Sequence, residues 1–164
     1  MTRHLCANAK SSLRGRPAFT LIELVVTVLV MGILASAAVP RFADSLHYHR
    51  AESAAERVAA DMRLVRQHSK SASKSLQMVF SGGTNSYTIA GLPHIDRATE
   101  DYSVVLSDWP YLGSLTSIKL SSGGNILSFN GYGIPDSDAE IQVESGGHAR
   151  TVKLVAETNK VTIE

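Results

Sequence analysis

The sequence has a single cysteine, Cys6, which excludes an intrachain disulfide. An extracytoplasmic fold remains open, because disulfides persist outside the cytoplasm without being required there. Catalytic constellations are missing too. Ser128 and Ser137 lack the glycine-flanked setting of a nucleophile elbow, and Gly82-Gly83 and Gly123-Gly124 read as turn glycines rather than a phosphate loop. Metal-ligand spacing is equally scarce. His47 and His49 stand two apart, about 200° around a helix axis, so they cannot chelate one ion, and His68, His94 and His148 are isolated in sequence. The run Asp136-Ser137-Asp138-Ala139-Glu140 lacks the glycine and the distant glutamate of an EF-hand, and reads as a solvated acidic turn. No enzyme, metal or other cofactor is expected on these grounds. Finally, no lysine or arginine occurs between Arg16 and Arg41.

That last gap frames the segment Phe19–Val39, FTLIELVVTVLVMGILASAAV, which holds one charge, Glu23. As a helix it reaches about 31 Å at ~1.5 Å per residue, close to the hydrocarbon thickness of a bilayer. Residues 1–18 carry four bases (Arg3, Lys10, Arg14, Arg16) and no acid. The positive-inside rule therefore leaves them in the cytoplasm and sends the C-terminal mass across the membrane. A carboxylate within a bilayer costs about 2.5–3.5 kcal/mol and calls for a partner or a function. With no cation in the segment, proteolysis just before Phe19 would supply one. The new α-ammonium lies four residues, one helical turn, from Glu23, and a neighbouring copy's ammonium would serve equally well. Two plainer readings compete: a secretory signal peptide cut after Ala35-Ser36-Ala37, and a simple membrane anchor with an incidental glutamate. Glu23 interrupts the core a signal peptide needs, and the apolar run is longer than such a core.

Ala18-Phe19-Thr20-Leu21-Ile22-Glu23-Leu24 resembles the cleavage and methylation motif of type IV prepilins and type II secretion prepseudopilins. In that family a prepilin peptidase cuts before the phenylalanine, the new amine is N-methylated, and the glutamate docks the subunit into a filament. The resemblance implies a cut between Ala18 and Phe19, methylation of Phe19, and Glu23 as the docking acid. It also implies that Pro40 kinks or locally melts the helix. Ala18 stands where the family usually carries glycine.

Residues 41–75 continue as an amphipathic helix. Leu46, Ala51, Ala54, Ala55, Val58, Met62, Val65 and Ala72 fall on one face at steps of three and four. Arg50, Glu52, Glu56, Arg57, Arg63, Arg66 and Lys70 lie opposite, and Ser69–Ser75 should end the helix. Residues 76–164 read as strands over Leu76–Phe80, Ser86–Ala90, Tyr102–Leu106, Ser117–Leu120, Asn125–Phe129, Glu140–Glu144, Thr151–Ala156 and Lys160–Ile163, with a loop over Gly91–Asp101. The expected fold is α+β: a long N-terminal helix, transmembrane over 19–40, whose second half packs on an antiparallel, β-rich head.

The C-terminal half resembles the H-type pseudopilins and related minor pilins. The likeness lies in Phe129-Asn130-Gly131-Tyr132-Gly133-Ile134-Pro135 and the strands Ile141–Val143, Thr151–Val155 and Lys160–Ile163 that follow. It implies a minor pseudopilin of a type II protein secretion system, a single-pass protein of the bacterial inner membrane with its head in the periplasm. Its partners would be other pseudopilins or pilins, the prepilin peptidase and the inner-membrane assembly platform. The alternative is a minor pilin of a type IV pilus, including one that binds DNA during uptake. Nucleic acid is disfavoured, because residues 75–164 hold five bases and ten acids.

Overall fold

A computed structural model describes residues 19–94 and 99–164. The long helix, α1, spans Leu21–Ala72. Its start is capped by Thr20, whose Oγ1 accepts the Glu23 N–H at 3.2 Å. Its end is closed by a left-handed Ser73 (φ 50°) and by the Lys74 N–H, which reaches back to the Ser69 carbonyl at 3.1 Å. This six-to-one bond terminates the helix in the serine-rich stretch.

The chain divides into two compact units, residues up to Val39 and residues 40–164, and α1 contributes to both. In the first, every residue from Leu21 to Val39 is exposed. In the second, two four-stranded antiparallel sheets accompany the helix. One orders its strands β3-β2-β1-β5, with β1 Leu76–Ser81, β2 Ser86–Pro93, β3 Asp101–Val105 and β5 Ile126–Phe129. The other orders them β4-β6-β7-β8, with β4 Ser114–Leu120, β6 Ala139–Ser145, β7 His148–Val155 and β8 Lys160–Ile163. Registers such as Phe80↔Tyr87 and Ile141↔Val152 align inward-facing residues. One core joins helix residues Ala54, Val58, Met62 and Val65 to Phe80, Tyr87, Leu127, Phe129 and Ile141.

The α+β expectation holds, with corrections of detail. Leu46 and Ala72 are exposed, because the buried arc of the helix begins at Ala51 and ends at Ser69. β2 continues to Pro93 instead of yielding to a loop at Gly91, across an irregularity where the Gly91 N–H donates to Asp101 Oδ1 at 3.1 Å. β7 starts at His148, not Thr151, because Gly146 and Gly147, both at positive φ, turn the chain in two residues.

Candidate assembly segment and the head that carries it

Two of the sequence-predicted site residues, Phe19 and Glu23, stand at the start of α1. Phe19 precedes the helix and is 82% exposed, and Glu23 lies in the first turn. Thr20 and Glu23 have the spacing of a capping box, a signal present in the sequence that the reading above did not use. A carboxylate there also suits the positive end of the helix dipole. From Leu21 onward the helix is long and apolar enough to cross a bilayer, and none of its apolar window is buried. Ala18 lies outside the described residues, and Pro40 falls within α1.

Within the head, a polar cluster sits inside the core. Asp61 is 4% exposed. Its Oδ2 accepts the Tyr87 hydroxyl at 2.6 Å and Arg57 Nε at 3.1 Å, and both its oxygens lie 3.2 Å from the Tyr102 hydroxyl. Arg57 also donates to the Tyr102 hydroxyl. Burial, then the Asp61 charge, pushes the Tyr87 and Tyr102 hydroxyls up from the ordinary tyrosine value. Burial opposes the Arg57 charge, yet Asp61 holds the guanidinium above its usual value. The group can clamp α1 to β2 and β3, and every member has a partner.

Two turns fasten the helix at other levels. The β6–β7 turn meets its first head-contacting part. His148 Nε2 lies 2.8 Å from Asp44 Oδ1, Arg150 Nε donates to Glu52 at 2.6 Å, and the Arg150 guanidinium covers the Tyr48 ring at 4.6 Å. The Glu52 bond comes first among the causes that raise the Arg150 pKa. His148, isolated in sequence, is therefore paired in space. Among the described residues no three ligand-type side chains cluster as a metal site would require.

The turn after β5 meets the helix's last two turns. Asn130 Oδ1 accepts the N–H groups of Tyr132 and Ile134, both at 3.0 Å. A Cβ on Gly133, at φ +75°, would stand 2.8 Å from the Arg66 carbonyl oxygen, and one on Gly131 would stand 3.0 Å from that of Ser73. Gly133 thus answers both a left-handed backbone and a close approach, while Gly131 answers the approach alone. Asp136 and Asp138 also serve as backbone acceptors, from Ser128 N–H at 3.2 Å and Ala156 N–H at 2.6 Å. The acidic run is therefore more than a solvated turn.

Residues 13–39 match the family described as the prokaryotic N-terminal methylation motif. The fold is similar to the crystal structure of the type IV minor pilin FimU of Pseudomonas aeruginosa, with a TM-score of 0.52 and 13% identity over 71% of this chain and 89% of that one. The fold is type IV pilin-like. A second crystal form of FimU gives a TM-score of 0.48 and 15% identity, over 69% of this chain and 91% of that one. No curated protein sequence matches this chain significantly.

In this pilin-like fold the methylation motif and the exposed apolar helix coincide, an arrangement compatible with single-pass membrane anchoring. Sequence reasoning missed the Asp61 cluster. A usable signal existed: Asp61 follows Val58 by three and precedes Val65 by four, which places it beside the apolar arc.

Proposed function

We propose that this chain is a filament subunit, made as a prepilin, cut between Ala18 and Phe19, N-methylated at Phe19, and assembled from the bacterial inner membrane with its head in the periplasm. The observation that carries the reading is Glu23. It is the lone charge of a 21-residue apolar run and sits one turn from the amine that cleavage would create. Pairing with that amine, its own or a neighbour's, removes the unfavourable carboxylate and fixes the axial position of one subunit against the next. Pro40 loosens the helix where it leaves the apolar run. The assembling machinery would be the prepilin peptidase and an inner-membrane platform.

Within this class the H-type resemblance of Phe129–Pro135 favours a minor pseudopilin of a type II secretion system. The fold shared with FimU favours a minor pilin of a type IV pilus. The role is structural in both. Glu23→Ala tests the reading. The variant should accumulate in the membrane with its head folded, while its amount in sheared filaments falls at least tenfold, matching the loss of about 2 kcal/mol or more of pairing within the apolar phase. Undiminished incorporation of Glu23→Ala contradicts it.

A further inference from the structure

Trp109 is the only tryptophan of the chain and is 83% exposed, although tryptophan is mostly buried in folded proteins. Its loop, residues 106–113, is tied down. The Tyr111 and Leu112 N–H groups both donate to the Asp108 carbonyl at 3.0 Å, the Gly113 N–H donates to the Leu106 carbonyl at 2.8 Å, and Tyr111 packs against the core. The backbone therefore holds Trp109 outward, with the exposed Leu112 near it.

The loop's level along the helix is set by contacts. The Ser145 hydroxyl donates to the Leu112 carbonyl at 3.0 Å and lies 3.5 Å from His47 Nδ1. A Cβ on Gly113 would stand 3.6 Å from that of Ala54. The loop is thus level with α1 from His47 to Ala54. That part follows closely on the apolar run, since His47 is seven residues, about 11 Å, beyond Pro40. On the helix itself Phe42, Leu46 and Tyr48 are exposed at the same end of the head.

We propose that this end of the head rests on the bilayer that holds the chain, with Trp109 and Leu112 seated in the headgroup layer. Three observations select lipid as the occupant. The apolar helix that ends at Val39 brings the bilayer to this end of the head. Tryptophan and tyrosine concentrate in the headgroup layer, where the ring is sheltered and its N–H or O–H stays wet. Glu52, an acid at this level, is neutralised by Arg150 at 2.6 Å, which removes a charge that an anionic surface would repel. Pro40 lacks the N–H that would hold the helix straight, so the head can lean onto the surface.

This inference rests on the membrane-anchoring reading and adds a second point of contact to it. The test uses the full chain in phosphatidylcholine vesicles, where tryptophan emission reports Trp109 alone. Phosphatidylcholine brominated near the headgroup end of its acyl chains should quench that emission about twofold, and more than lipid brominated near the chain ends. Because the contact is apolar, the quenching should persist at high salt. Trp109→Phe combined with Tyr132→Trp moves the indole to an equally bare site beside the last turns of α1, and there brominated lipid should not quench it.

Emission that brominated lipid leaves unchanged, from chains that float with the vesicles, removes this contact and leaves the anchor standing. Equal quenching at both positions overturns it too, as does an emission shift that follows chain density and ignores brominated lipid, which would assign the loop to a second copy. If the chain does not float with the vesicles, the anchor falls as well.

Discussion

Asp61 shows how one side chain can join a helix to a sheet. Its carboxylate is buried, but it meets a guanidinium on its own helix and two hydroxyls from β2 and β3. The Tyr87 hydroxyl makes the shortest of the bonds to Asp61, at 2.6 Å, and a hydrogen bond to a charged group contributes about 1.5–3 kcal/mol. Tyr87→Phe should therefore lower the unfolding free energy of the detergent-purified chain by about 2 kcal/mol. It should also change the alkaline limb. The native Tyr87 and Tyr102 hydroxyls hold their protons above the ordinary tyrosine value of about 10, which the unfolded chain keeps. Below pH ~10 both states are protonated and the full contribution is present. Above it the unfolded state sheds protons first, so stability falls as pH rises. Urea titrations between pH 8 and 11 should show a shallower fall for Tyr87→Phe, and an unchanged slope would remove Tyr87 from this role.

At the level of elements, turns fix where the helix meets the head. The turn after β5 fits only because Gly133 brings its backbone against the Arg66 carbonyl at positive φ. Gly133→Ala adds left-handed strain of about 1 kcal/mol and a clash with backbone, so a loss of about 2 kcal/mol or more is expected in urea unfolding. Gly83→Ala, with open space around its Cβ, should change little. Most elements were legible because their patterns are local. The three-and-four spacing from Ala51 to Val65 and the alternation in β1 and β6 follow directly from which face is buried. The ends of β2 and β7 were less so, since a two-residue glycine turn and a side-chain bond from Asp101 extend them. The assortment of strands into two sheets was not legible at all. β5 pairs with β1, and β4 pairs with β6 across it in sequence, choices made by long-range packing rather than by any local run of residues.

For the whole molecule, an apolar exposed helix with one acid in its first turn is joined in one chain to a compact α+β head. On the proposed assembly reading, membrane residence follows from the apolar run as a whole, while polymer contact depends on Phe19 and Glu23. Those residues were readable from sequence, because a lone carboxylate in a long apolar run is costly wherever it occurs. The spacing of Asp61 from Val58 and Val65 could have placed it on the buried arc, but its tyrosine partners were not readable, because they come from strands some 26 and 41 residues away. The most direct measurement is the N-terminal mass of the chain extracted from membranes of cells that hold the peptidase. The account predicts a start at Phe19 carrying one methyl group. A start at Met1, or at Ala38 as a signal-peptidase cut would leave, contradicts it.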